Sequence, residues 1–262
     1  MNDRDPRALL AFAHHLLDET DQLAMSHFGG QVSTTAKADT TFVTVADTAI
    51  EEQLRARIGD TFSAHAFLGE ELGAERGDGD ARWIIDPIDG THNFLRGIPV
   101  FATLLALERE EKLVLGMASA PALGQRWSAI AGGGATLRGQ GQERPIRVSQ
   151  VRRLAQAQVC YGSLGGTEAA DALPGLRRLI DASWRDRGFG DFWAHMLVAQ
   201  GSAEVMVERG VKVWDLAAPY LIVTESGGRM TDLDGLPSWT GPYAVTSNGL
   251  FHDTVLETLR QA

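Results

Sequence analysis

The segment Trp83-Ile84-Ile85-Asp86-Pro87-Ile88-Asp89-Gly90-Thr91 constrains this chain more than any other. Its bulky apolar run predicts a buried strand, yet two aspartates interrupt the strand's end. Carboxylates there must be paired, protonated or bound to a cation. Pro87 fixes φ and removes an amide from the ladder. Gly90 permits close backbone approach. Thr91 can open a short helix through Asn93, Phe94 and Leu95, whose first amides form an anion site. Two further segments carry acid in the same way. Gly69-Glu70-Glu71 follows the apolar run Ala66-Phe67-Leu68, and Val213-Trp214-Asp215 precedes an apolar helix. Gathered together, these carboxylates would repel one another. A divalent cation removes that cost, and Mg²⁺ prefers all-oxygen ligation. The physics alone points to metal-assisted phosphoryl chemistry.

The rest of the pattern is mixed. Leu9, Leu10, Ala13, Leu16 and Leu17 recur at helical spacing within residues 6–28. Thr44-Val45-Ala46-Asp47 is a capping box opening a second helix, with Ile50, Leu54 and Ile58 on its apolar face and Gly59 at its end. Short apolar runs predict strands over 66–69, 83–85, 101–107, 113–118 and 127–130, with hairpin turns at Gly132-Gly133-Gly134 and Gly139-Gln140-Gly141. Beyond these, strands over 157–161, 203–208, 229–233 and 243–246 alternate with helices over 173–183, 191–200, 216–225 and 253–260. Asp191 and Asp215 stand at N-cap positions, and Pro219 falls near a first helical turn. The basic stretch 138–153 reads as a solvated loop and strand edge. His14 and His15 read as solvated, and Trp127 and Trp193 as residues that could touch a substrate. This order predicts layered α/β or α+β packing in one domain over residues 1–262.

Charge and composition exclude several classes. A net charge of −10 lacks the basic footprint of a nucleic-acid binder, but leaves room for a small phosphorylated molecule beside a cation. No apolar run approaches the ~20 residues of a membrane span, and Met1-Asn2-Asp3-Arg4-Asp5-Pro6 lacks the apolar core of a signal peptide. The single Cys160 allows no intrachain disulfide, which suits a reducing cytoplasm. Asp-x-Asp-x-Thr, Walker-type Gly-Lys-Ser/Thr, Gly-x-Ser-x-Gly, metal-spaced histidines and a dinucleotide fingerprint are all missing.

Gly69-Glu70-Glu71, Asp86-Pro87-Ile88-Asp89-Gly90-Thr91-x-Asn93-Phe94 and Trp214-Asp215 with a following Glu-x-Gly-Gly resemble the inositol-monophosphatase superfamily, from about residue 8 to 260. Asn93-Phe94-Leu95-Arg96-Gly97-Ile98-Pro99, Ser119-Ala120-Pro121-Ala122, Gly190-Asp191-Phe192 and Trp214-Asp215-Leu216-Ala217-Ala218 are most similar to its histidinol-phosphate phosphatase branch. His92 stands where that branch often has lysine.

The resemblance implies a layered αβαβα fold, a homodimer and two to three Mg²⁺ per subunit. By it, Glu70, Asp86 and the Ile88 carbonyl hold a first metal, Asp86, Asp89 and Asp215 a second, and Glu70 a weaker third. The Gly90 and Thr91 amides hold phosphate. Asp47 and Thr91 orient the attacking water. Asn93, Asp191 and Glu208 complete the substrate side. The implied reaction is hydrolysis of L-histidinol phosphate, in histidine biosynthesis, by direct attack of a metal-activated water. Inositol phosphate, another sugar phosphate or a nucleotide phosphate is the alternative substrate. A non-catalytic phospholigand sensor is the alternative from another class.

Overall fold

The helical periodicity of the N-terminal segment becomes two packed helices. The computed structural model describes residues 2–30, 34–36, 42–164 and 173–261. In α1 (Pro6–His27), Asp5 caps the N-terminus by accepting the Arg7 amide at 3.0 Å, with Pro6 in the first turn where its missing N–H costs nothing. α2 (Val45–Thr61) begins at the expected capping box and runs through Gly59 for two residues. A short ladder of β1 (Thr34–Ala36) and β2 (Phe42–Thr44) precedes it.

The apolar runs assemble into an eight-stranded sheet. Its strands are β3 (Ala66–Gly69), β4 (Gly73–Glu75), β5 (Ala81–Asp89), β6 (Ala102–Arg109), β7 (Lys112–Ala120), β8 (Gln125–Ile130), β9 (Gly134–Gly139) and β10 (Gln142–Ile146), in the order β10-β9-β8-β7-β6-β5-β3-β4. β5 reaches further than its apolar run suggests. It continues through Pro87 to Asp89, with a register shift against β6 between Asp86 and Asp89. Such a bulge accommodates a proline and re-aims side chains. The Thr103 hydroxyl donates to the Pro87 carbonyl at 2.8 Å, satisfying a group the irregular ladder leaves free. Both glycine-rich turns are hairpins, joining β8 to β9 and β9 to β10. The basic stretch includes the edge strand β10.

The second half builds a five-stranded sheet from β11 (Gln158–Tyr161), β12 (Arg185–Arg187), β13 (Val205–Arg209), β14 (Arg229–Thr231) and β15 (Tyr243–Ser247), in the order β12-β11-β13-β15-β14. Its helices are α4 (Leu173–Ala182), α5 (Asp191–Ala199), α6 (Val213–Glu225) and α7 (His252–Arg260); a five-residue α3 (Thr91–Leu95) follows β5. α1 and α2 cover one face of the large sheet, α5 and α6 fill the space between the sheets, and α4 and α7 cover the far face of the small one. The result is the five-layer αβαβα arrangement.

Several local expectations are corrected. The cap of α5 is Gly190, and Asp191 is the first helical residue. Asp215 lies at the third position of α6, accepting the Lys212 amide at 2.6 Å, rather than at the cap. Pro219 is inside α6, one turn after Asp215, whose carbonyl therefore receives no helical amide from it. Trp127 is fully buried, its indole N–H donating to Gln200 at 3.0 Å, so it does not reach a substrate. Trp193 packs edge-on against Phe189. His14 is half-buried beside Arg126, with burial lowering its pKa, so the solvated reading fails for it.

Candidate active site

The ends of β3, β5, β13, α5 and α6 converge on one cleft. Glu70, Asp86, Ile88, Asp89, Gly90 and Thr91 line one side of it, with Asp191, Glu208 and Asp215 on the other. Segments as much as 145 positions apart in sequence thus meet because sheets and helix N-termini end at the same level.

Carboxylate oxygens of Asp86, Asp89 and Asp215 lie within 4.8 Å of one another. Asp86 is 1 % exposed, and its Oδ1 is buried without a hydrogen-bond partner among the described residues. A buried, unpartnered carboxylate oxygen is costly unless something outside the chain satisfies it. Burial raises Asp86 well above the ordinary carboxylate range, and the charges of Glu70, Asp89 and Asp215 push it further. Burial raises Asp89 in the same way, reinforced by Asp191 and Asp215. Asp215 is pushed up to about 7, by burial and then by Glu70 and Glu208, against the lowering effect of the Lys212 amide. A hard divalent cation fits this donor set on both counts: it satisfies the orphaned oxygen and cancels the mutual repulsion.

Asp47 sits at the third position of α2, fully buried. Its Oδ2 accepts the Thr44 amide at 2.9 Å and also the Thr44 hydroxyl. Its Oδ1 has no partner among the described residues. Burial raises its pKa to about 6, with Glu70's charge adding to the rise. Capping α2 therefore uses only one of the two Asp47 carboxylate oxygens.

Gly90 adopts φ +83° and caps α3. A Cβ there would come 3.0 Å from the Val100 carbonyl, so both conformation and space demand glycine. The Thr91 hydroxyl donates to the Ile88 carbonyl at 3.0 Å. Asn93 does not line the cleft. Its amide donates to the Val100 carbonyl at 2.9 Å and to Asp191 Oδ2 at 3.3 Å, so it bears on the site through Asp191. Asp191 has φ +55°, a conformation uncommon for a residue with a side chain. Burial, and then Glu208's charge, raise it to about 7.

Sequence reasoning missed four residues here. Ser163, Arg209 and Lys212 also line the cleft; the last two flank Glu208 and Asp215 in the chain, which is the only signal that could have found them. The fourth, His195, lies behind the wall.

The inositol monophosphatase family pattern matches residues 5–262. Histidinol-phosphatase of Streptomyces coelicolor is 43% identical over 258 residues, 96% of this chain and 97% of that protein. Histidinol-phosphatase of Mycobacterium tuberculosis is 43% identical over 257 residues, 95% of this chain and 97% of that protein. A crystal structure of an IMPase/NADP phosphatase complexed with Mg²⁺ and phosphate superposes with a TM-score of 0.82 at 26% identity, covering 98% of this chain and 95% of that one. Given the five layers, the converging carboxylates and these matches, the chain belongs to the inositol monophosphatase family.

Proposed function

We propose that this chain is a Mg²⁺-dependent phosphomonoesterase that hydrolyses L-histidinol phosphate to L-histidinol and phosphate. One observation carries the substrate choice. Asp191 and Glu208 stand together in the cleft beside the three metal-binding carboxylates, and Asp191 is raised by burial and by Glu208's charge. A neutral polyol leaves that repulsion in place; the ammonium of an amino alcohol relieves it. The 43% identity to two histidinol-phosphatases supports the same reading.

The residues divide the work. Glu70, Asp86, Asp89, Asp215 and the Ile88 carbonyl are assigned to hold the metal, two or three ions per subunit. When bound, the metal supplies a Lewis acid for the phosphoryl oxygens and for the attacking water. Asp47, whose Oδ1 is buried without a partner among the described residues, is assigned to orient the attacking water. The Thr91 hydroxyl is anchored on the Ile88 carbonyl and helps orient that water. The amides of Gly90 and Thr91 hold phosphoryl oxygens at the start of α3. No side-chain nucleophile is required. The reading includes a single domain, a homodimer and a cytoplasmic setting. Among the described residues no helix is long and apolar enough to cross a membrane.

The test is kcat/KM with Mg²⁺ on L-histidinol phosphate, inositol 1-phosphate and a nucleotide 3′-phosphate, for wild type and Asp191→Ala. The wild type should favour histidinol phosphate, and the variant should lose that preference. Equal losses on all three esters would remove the substrate assignment.

A further inference from the structure

Glu208 is held from behind by a residue that does not line the cleft. His195 lies on α5 and is 1 % exposed. Its Nε2 is 3.1 Å from Glu208 Oε2, and its Nδ1 is 2.9 Å from the Thr246 hydroxyl on β15. A carboxylate has no hydrogen to give, so Nε2 donates to Glu208; in the neutral ring Nδ1 accepts from Thr246. The other carboxylate oxygen, Oε1, accepts the Asp191 amide at 2.9 Å. The space beside that oxygen is closed. A Cβ added to Gly162 or to Gly190 would stand 2.9 Å from it. Glu208 is therefore slotted between two glycine backbones with both oxygens tethered, while it still lines the cleft.

Asp191 depends on the same tether. Its left-handed conformation is strained and persists only where neighbours over-determine it. The Glu208 contact to its amide is one such determinant. The next amide, of Phe192, donates to Asp89 Oδ2 at 2.7 Å, and the Asp191 side chain meets Asn93. One hydrogen-bonded line thus runs Thr246–His195–Glu208–Asp191.

We propose that His195 is a positioning residue for substrate selection: it fixes Glu208, and through Glu208 the turn of Asp191, as a rigid two-carboxylate seat for the ammonium of the substrate's alcohol. This rests on the reading of the cleft as a site for a cationic ester. His195 touches no substrate atom. It acts by removing the freedom of Glu208 to turn toward Asp191 or away from the ligand, which is entropy otherwise lost on binding.

The experiment compares wild type, His195→Leu, His195→Gln and Thr246→Val as full chains with Mg²⁺. For each, kcat and KM are measured separately on L-histidinol phosphate and on inositol 1-phosphate, alongside thermal melting. His195→Leu should raise KM for the cationic ester by about tenfold, the scale of one hydrogen bond to a charged group. Its kcat, and its KM for the neutral ester, should stay within about twofold. His195→Gln retains a side-chain N–H for Glu208 and should recover most of the loss. Thr246→Val loosens the ring and should show the same selective rise in smaller measure. If His195→Leu does not fold, the other two variants decide the matter on the same criterion. Equal rises in KM on both esters, or no rise on either, overturn the role of His195 while leaving the substrate reading intact. A wild type that shows no preference for the cationic ester overturns both.

Discussion

The Glu71 amide donates to Glu51 Oε2 at 2.8 Å, tying the turn that carries Glu70 to the middle of α2. Glu51 lies one turn after Asp47 and is fully buried. Its Oε1 accepts the Leu72 amide and two N–H groups of Arg55, and Arg55 in turn donates to the Gly73 carbonyl at 2.6 Å. Asp47, Glu51 and Arg55 thus form one face of α2 that sets where Glu70 stands relative to Asp47. Glu51→Leu leaves Arg55 with only the exposed Glu75 carboxylate at 3.2 Å and the Gly73 carbonyl as partners, a loss of up to about 3–5 kcal/mol, the scale of breaking a buried ion pair. It should also raise the Mg²⁺ concentration needed for half-maximal activity. Glu51→Gln keeps an acceptor for one amide and should show both effects more weakly. Metal titration of activity, read beside thermal unfolding, checks this; an unchanged half-saturating concentration in both variants refutes the coupling.

Gly69 tests the same joint from the other side. A Cβ there would overlap Glu51 Oε1 far inside van der Waals contact. Flexible side-chain ends usually step aside, but this one is pinned by two backbone amides and a guanidinium. Gly69→Ala should therefore cost about 1–3 kcal/mol, the scale of forced overpacking, and weaken the response to Mg²⁺. A melting temperature equal to wild type would show that the Glu51 cluster yields freely.

Asp89→Asn should separate fold from function. Asn can still accept the Phe192 amide, which Asp89 holds at 2.7 Å, so the α5 contact survives. The substitution removes one of three converging charges, and kcat/KM should fall by roughly 10²–10³, the scale of losing one electrostatic group at a transition state. In chelator, the variant should melt no lower than wild type, because a repelling carboxylate has gone. Near-normal turnover refutes the metal assignment.

What the sequence made legible was chemistry concentrated at element boundaries. Glu70, Asp86, Asp89 and Asp215 stand beside apolar runs, where a cluster of carboxylates suggests ligands, and the cleft brings all four together. The capping box at Thr44 and Asp47 was legible for a local reason: its partners are three residues apart. Asp191 was misread as a cap because its hydrogen-bond partners, Asn93 and Glu208, are distant in sequence and its positive φ has no signature in composition. His195 was invisible because an apolar helix with one histidine looks like core, and its partner arrives on another strand. β4 and β12 were missed because Gly73-Ala74-Glu75 and Arg185-Asp186-Arg187 carry almost no apolar pattern; their neighbours in the sheet recruit them.

The carboxylate cluster should also control how stability depends on pH. Asp191 and Asp215 are raised from 3.8 to about 7, and Asp86 and Asp89 are raised as well. Such groups bind protons more tightly in the folded state than in the unfolded one. The stability they contribute is complete below about pH 4 and is lost as pH rises through about 7. His252 works in the opposite sense. Burial, and then the charge of Arg229, lower it from 6.5 to about 4, so its contribution is complete above pH 6.5 and lost as pH falls through 4. The two effects oppose each other between about pH 4 and 6.5, but above 6.5 the carboxylates act alone. In chelator, the melting temperature should therefore fall from about pH 6.5 to 8. Mg²⁺ that binds only the folded, deprotonated site stabilises by mass action, so the increment it adds should grow over the same interval. Melting curves in chelator and in excess Mg²⁺ across that interval decide it, and a chelated protein that grows more stable toward pH 8 would place the repulsion somewhere other than this cleft.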